Sequence, residues 1–196
     1  MVPADIKLRV QAQLPNVSKE TLENFLAVCT YKKLKNREVL IEPWSKDDKA
    51  FFILSGDVRG YFFNKKGEEK NLFLRSKNTF MGPPDALFEN VPTKYCFEAI
   101  LETEILEFSY NRYRELAMTN PEIFQLLLMS HREIILTLVS RVESLIDETP
   151  EERYVALLEK SPHFISSAFN KHIANYLGIT PVSLSRIVKR VKEKDS

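Results

Sequence analysis

Apolar positions along this chain change period several times, and each change marks a new kind of element. In "NVSKETLENFL", Leu22, Phe25 and Leu26 form one helical stripe, with Ser18 as N-cap and Glu20 in the first turn. Residues 1 to about 30 are therefore expected to be helical. From Glu38 to Phe108 the texture is that of strands: "EVLI", "AFFIL", "VRGYFF", "KNLFL", "YCFEAI" and "TEILEF". They are separated by the turn signals "EPWSKDD", "SGD", "NKKGEE", "SKN" and "GPP". "VRGYFFNKKGEEKNLFL" predicts a hairpin with Gly67 in its connection. Strands this closely spaced, with no helices between them, predict an antiparallel β-sandwich or roll.

The helical period returns at Pro121 and runs to Glu148 without a further glycine or proline. Asn120 is a fair cap and Pro121 a good first helical residue. Ile123, Leu126, Leu127, Ile134, Ile135, Leu138, Val139, Val142, Leu145 and Ile146 recur at helical spacing. Such a helix reaches ~42 Å, longer than a small roll is wide. Packing across the sheet would use part of it. The length favours a coiled-coil-like seam with a second copy. "DETPEE" then predicts a break at Pro150. "PEERYVALLEKSPHF" predicts another helix with Tyr154, Leu157 and Leu158 inward.

The last stretch, "KHIANYLGITPVSLSRIVKRVK", predicts two helices and a tight turn. Ile173, Ala174 and Leu177 share one face of the first helix. Gly178 can adopt the left-handed conformation that ends it. Ile179 points back to the core. Thr180 and Pro181 start the second helix, which buries Leu184, Ile187, Val188 and Val191. A small residue four positions before the glycine and a branched apolar residue six after it suit two helices crossing steeply at close approach. That is the geometry of a helix-turn-helix. Val182, Ser185, Arg186 and Lys189 lie opposite the core stripe, flanked by Ser183 and Arg190. No acid occurs from Pro181 to Lys192. Short polar groups near the helix start and cations further along suit a major groove.

Bulk composition narrows the field less. The chain has 196 residues and a formal net charge of only +1, which gives no global sign of a polyanionic partner. The charge is uneven, however. Asn170 to Ser196 holds six Lys or Arg against two acids. A basic end on a slightly acidic body fits a nucleic-acid-binding module and also an ordinary solvated tail. With 44% hydrophobic and 28% charged residues a packed core is expected. No run is seen that approaches the ~18 apolar residues of a membrane helix. The N-terminus has no signal-peptide core. Cys29 and Cys96 form no CxxC pair and are expected to be small buried hydrophobes in a reducing compartment. The expected location is the cytoplasm, with no membrane partner. Enzyme signatures are absent: "HRE" at His131 lacks the P-C-x-x-C of zinc deaminases, and there is no HExxH, GxSxG or P-loop.

"HIANYLGITPVSLSRIVKRVK" is very similar to the helix-turn-helix of the cyclic-AMP receptor protein (Crp/Fnr) family of bacterial transcription regulators. "AFFILSGDVRGYFF" also looks like strands of that family's roll. The resemblance implies an α+β chain: an N-terminal antiparallel β-roll of the cyclic-nucleotide-binding type (1–118), a dimerisation helix (119–148) and a helix-turn-helix domain (149–196). The chain stops at Ser196, so a full β-wing is not expected. It implies a homodimer on an inverted repeat in double-stranded DNA, with RNA polymerase as a further partner. The expected DNA-facing residues are Thr180, Val182, Ser183, Ser185, Arg186, Lys189 and Arg190. Ser183, Ser185 and Arg186 are those carried over from the family.

The family's phosphate-binding cassette reads roughly "FGExxL…RxA"; here it is "FMGPPDALFENVPTKYCFEA". Gly82 is kept. Pro83 stands at the glutamate position and is followed by Pro84, removing two N–H donors. Thr93 stands at the arginine position with Lys94 beside it, and a lysine cannot supply a bidentate fork. Gly82, Thr93 and Lys94 remain the expected effector pocket. Cyclic AMP is not expected to bind in the usual way, no cofactor is expected, and the effector is an unknown small molecule. Two isolated cysteines cannot supply the four thiolates of an iron–sulfur cluster. A haem ligand among His131, His163 and His172 stays open beside the plainer expectation of packed or surface histidines. The rival functional class is a dimeric ligand sensor acting through protein contacts, with a vestigial DNA-binding domain.

Overall fold

A computed structural model describes residues 2–167 and 170–194. Two short helices open it, α1 (Ala4–Gln13) and α2 (Lys19–Ala27). Ser18 caps the second, its hydroxyl accepting the Thr21 N–H at 3.3 Å. The expectation of helix to about residue 30 overshoots. Cys29–Leu34 is strand β1, paired along its length with Thr103–Ser109 (β8), Cys29 opposite Phe108 and Leu34 opposite Thr103. Its apolar ends are buried and Lys32 and Lys33 are exposed, so the strand carries little apolar alternation to read.

Two four-stranded antiparallel sheets make the roll. One runs β1, β8, then Lys49–Ser55 (β3) and Phe80–Met81 (β6). The other runs Val39–Ile41 (β2), Tyr95–Ala99 (β7), Asp57–Phe63 (β4) and Glu69–Ser76 (β5). The predicted hairpin is β4–β5, with Asp57 opposite Ser76 and Phe63 opposite Glu69. Strand β3 explains the near-continuous apolar run "AFFIL". Phe51 and Ile53 face the other sheet, packing with Val58, Phe97 and Ile105. Phe52 and Leu54 face the helices, packing with Val10, Phe25, Phe108 and Tyr113. A strand covered on both faces has no polar side to show.

One helix does interrupt the strands, against expectation. Pro84–Glu89 (α3) begins on Pro84, with Asp85 in its first turn, and ends where Asn90 turns left-handed at φ 53°. Tyr110–Thr119 (α4) follows β8, capped by Ser109. Pro121–Asp147 (α5) is the expected long helix; Asn120 Oδ1 accepts from the N–H groups of Glu122 and Ile123 at 3.0 and 3.1 Å. After Pro150 the chain forms not one helix but two, Pro150–Lys160 (α6) and Pro162–Ser167 (α7). Pro162 cannot continue α6 and restarts the chain at a first helical position. Thr149 and Glu152 close a reciprocal capping box at the start of α6.

Helix α5 bears on the expectation that no run approaches membrane length. Its best 18-residue window has a mean hydropathy of 1.4, enough in length and composition to cross a bilayer, although only 22% of that window is buried. The apolar run is interrupted by Arg132 and Glu133, which hid it from inspection. Ile123, Leu126, Leu127 and Ser130 pack into the body of the protein. Further along, Ile135, Val139, Val142 and Ile146 are exposed.

Candidate functional site

The C-terminal pair is Asn170–Leu177 (α8) and Pro181–Lys194 (α9). Gly178 joins them at φ +74°, as its place in the sequence requires. The Gly178 N–H donates to Asn175 O at 3.1 Å and the Ile179 N–H to Ala174 O at 2.9 Å. These are the two bonds of a Schellman turn. One residue later the Thr180 hydroxyl accepts the Ser183 N–H at 3.1 Å and caps α9. Ala174 has no exposed surface, and Leu184, Ile187 and Val191 are buried with Ile173, Leu177, Tyr154 and Phe164. Burying each large aliphatic side chain contributes roughly 1.5–3 kcal/mol. This small core therefore fixes the angle at which α9 leaves the turn.

The opposite face of α9 is open. Thr180, Val182, Ser185, Arg186, Lys189 and Arg190 are exposed and Ser183 is half-buried. Several of these groups have internal partners. Arg190 Nε and Lys194 Nζ both hold the Glu151 carboxylate, at 2.9 and 2.7 Å. Their charge keeps that carboxyl below the usual range, with the Lys194 hydrogen bond the largest cause. Lys189 faces Glu193 across one turn at 3.8 Å. Ser185 turns its hydroxyl back to Pro181 O at 3.0 Å.

A second set of contacts, between residues with no local sequence relation, ties this unit to the roll. The Asn71 N–H on β5 donates to Asn175 Oδ1 at 2.6 Å, and Asn71 Nδ2 donates to His172 O at 2.9 Å. Asn175 Nδ2 donates back to Glu69 O. Beneath them Arg59, buried on β4, pairs with Glu69 at 2.6 Å and Glu98 at 2.9 Å. His172 is buried here. Its pKa is pushed down to about 4, first by burial and then by the charges of Arg59 and Lys171. Arg141 on α5 donates to Tyr176 O and stacks on its ring, 4.0 Å from the centroid. Asn71 and Asn175 are 104 positions apart, so nothing local in the sequence links them.

The roll's cavity lies between the sheets' edge, α3 and α5, with a volume of about 410 Å3. Phe73, Phe80, Phe97, Phe108, Leu127 and Leu138 form much of its wall. Gly82 lines it, and a Cβ there would meet Leu87 Cδ1 at 2.6 Å. Thr93 and Lys94 are not part of the lining. Thr93 is fully buried, its carbonyl and N–H bonded to Trp44 N and Ser45 O, and it shapes the loop. Lys94 lies at the surface with its ammonium 5.3 Å from the Tyr95 ring centroid. The groups that do reach the wall were not singled out from the sequence: Arg75, Tyr110, Tyr113, Ser130 and His131. Arg75 is held by Glu133 at 2.7 Å and Thr137 at 3.3 Å, both on α5. His131 sits 3.1 Å from the Tyr110 hydroxyl, and burial lowers its pKa. His131 and His172 belong to separate regions, and the side chain of His163 lies outside the described residues. Cys29 and Cys96 are free and buried, as expected.

A two-sheet roll, a long helix and a terminal helix-turn-helix define the class to which this chain is compared. No family model matches it. The cAMP-activated global transcriptional regulator CRP of Pasteurella multocida is 29% identical over 103 residues, which is 53% of this chain and 49% of that protein. The corresponding protein of Salmonella typhimurium is 28% identical over the same length. The chain thus spans about half the length of the curated relatives it matches. Over its fold it resembles FixK2 from Bradyrhizobium japonicum, with a TM-score of 0.73, 15% identity and 86% of each chain covered. It also resembles the c-di-GMP responsive regulator CLP from Xanthomonas campestris, with a TM-score of 0.70, 18% identity, and 91% of this chain and 93% of that one covered. The chain is thus similar in part of its sequence to CRP regulators and shares its fold with FixK2 and CLP.

Proposed function

We propose that this protein is a sequence-specific DNA-binding transcription regulator working as a homodimer on an inverted repeat. One observation carries the proposal: a capped turn holds outward the exposed face of α9, which has no acid from Pro181 to Lys192. Thr180, Val182, Ser183 and Ser185 occupy the end of α9 that would enter a major groove. Arg186, Lys189 and Arg190 follow along it toward bases and phosphates. Dimerisation is proposed through α5. Phe124, Leu128, Ile135, Val139, Val142 and Ile146 are exposed and follow a three–four spacing broken by Arg132. That is the seam of a two-stranded coiled coil. Two copies of α9 would then address successive major grooves ~34 Å apart.

Cyclic AMP, named for the relatives above, is not proposed as the effector. Pro83 and Pro84 offer no N–H, and the Ala86 and Lys94 N–H groups donate to the Asp85 carboxylate at 3.1 and 3.0 Å. An anion would meet a carboxylate where it needs donors.

The rival reading, a sensor acting through protein contacts, has the docking of α8 on β5 in its favour. Fluorescence anisotropy with a random duplex at rising salt separates the two. A DNA reader loses affinity steeply as salt rises, since bound phosphates release counterions. Absence of duplex binding at low salt would favour the sensor.

A further inference from the structure

We propose that the side-chain amide of Asn175, seated on the free edge of β5, locks the helix-turn-helix to its own roll and thereby fixes the half-site spacing that the dimer accepts, with no small molecule required. The inference rests on the DNA-reading function proposed above and makes Asn175 and Asn71 positioning residues.

Strand β5 is the outermost strand of its sheet and has β4 on one side only. Such an edge presents N–H and C=O groups that would otherwise recruit another strand. Two of those groups on β5 are taken by one side chain. Asn175 Oδ1 accepts the Asn71 N–H at 2.6 Å, and Asn175 Nδ2 donates to Glu69 O. A primary amide carries a carbonyl and N–H donors, as a peptide group does. Asn175 therefore pairs with β5 as one residue of a further strand would.

Asn71 closes the contact from the other side. Its Oδ1 accepts from Arg59 Nη1 at 3.2 Å, which fixes the direction of the amide, and its Nδ2 donates to His172 O at 2.9 Å. Arg59 is buried and is itself held by Glu69 and Glu98. Apolar packing continues the contact. Ile100, just after β7, and Leu74 on β5 pack into the core of Ile173, Leu177 and Leu184.

Helices α8 and α9 share that core and the turn at Gly178, so they move as one piece. At the end of α8 the carbonyls of Tyr176 and Leu177 accept from Arg141 on α5 and Arg153 on α6. The unit is thus held to the roll through α8 and to the long helix at the end of α8. Two attachments to different elements leave α9 little freedom of direction relative to the proposed dimer axis. A fixed direction in each protomer of a two-fold dimer fixes the distance and rotation between the two recognition helices. A looser hinge would accept several spacings.

The test uses the full chain with no effector added. The probes are duplexes carrying two inverted copies of the half-site returned by selection from a random pool. They have the selected spacing, or one base pair inserted or removed, and a single half-site duplex serves as control. The parent should prefer the selected spacing sharply. Asn175→Ala keeps a good helix former in α8 and should retain the parent's circular dichroism. It should reduce the spacing preference by about tenfold, through the loss of two hydrogen bonds, and leave single half-site affinity unchanged. A merely structural residue would weaken both kinds of duplex alike. N175D should act like N175A, because a carboxylate cannot donate to Glu69 O. Hydrogen exchange reads the contact without DNA: the Asn71 amide should exchange about tenfold faster in N175A than in the parent. A parental spacing preference in N175A, an equal loss on the single half-site, or an Asn71 amide exchanging equally fast in both proteins would each overturn the proposal. So would a parent that accepts all three spacings alike. A parent that binds no duplex would overturn the DNA-reading function as well, whereas a spacing preference that survives N175A overturns this inference alone.

Discussion

The outer face of α9 and the cavity of the roll are built on opposite principles. The first is a polar, convex surface whose geometry is set within seven residues: a Schellman turn at Gly178, a cap at Thr180 and the anchor Leu184. The second is an apolar concavity assembled from β3, β5, β6, β7, β8, α3, α4 and α5, elements scattered over some ninety positions of chain. A local device depends on few residues and breaks at single points. A distributed cavity tolerates most single changes and gives way only where a side chain carries a unique contact.

Single changes in the turn should therefore have the largest effects. Leu184→Ala removes the buried anchor of α9 and should destabilise this unit by about 2–5 kcal/mol. Thermal melting followed by circular dichroism checks it; a melt unchanged by L184A would mean that the last two helices are not held by a common core. Gly178→Val comes next, at about 1–3 kcal/mol. A Cβ there would meet Leu145 Cδ2 at 3.8 Å, an ordinary contact, so the penalty is one of backbone and not of space. Gly178→Asn should consequently recover most of the loss, because asparagine tolerates positive φ. A valine variant that melts like the parent would refute the tight turn.

Arg186→Ala should leave the fold intact and weaken specific duplex binding by about 1–3 kcal/mol, with relaxed preference at one base pair. An unaltered preference would remove Arg186 from base reading. Acid separates the two regions in a different way. His172, at the contact between α8 and β5, has a pKa near 4 against an ordinary value of 6.5. The unfolded chain takes up that proton first, so stability should fall as pH drops from about 6.5 toward 4. Glu104 in the roll, held by Arg9, Tyr31 and Ser55, is pushed down to about 2. Its contribution is present above its ordinary value of 4.5 and is lost as pH falls from there toward about 2. The attachment of the C-terminal helices should thus weaken before the roll does. His172→Gln should flatten the upper window only; a flattened lower window would contradict the assignment. The smallest effect is expected from Glu151→Gln, which releases Arg190 and Lys194 from their carboxylate and should steepen the salt dependence of duplex binding by about one unit or less.

The same contrast explains what could be read from residues alone. The turn was legible because each step of it is a local preference: alanine at the crossing, glycine at positive φ, threonine before proline. The β4–β5 hairpin and the long helix were legible for the same reason. Strand β1 was not, since "CTYKKL" is held by its partner β8 and carries charges at its centre. Helix α3 hid within a turn-like "GPPD". Among candidate effector groups only Gly82 reaches the cavity. Thr93 and Lys94 stand where a phosphate cassette would place its arginine, whereas the polar groups of the wall here include Tyr113, Arg75 and His131, drawn from α4, β5 and α5. The Asn71–Asn175 contact joins residues with no sequence relation at all.

Selection of binding sites from a pool of random duplexes, using the unaltered full chain, tests the DNA-reading account most directly. It should return two inverted half-sites whose centres lie about one helical turn apart. Recovery of a single unpaired half-site, or of no enriched sequence at low salt, would contradict the account.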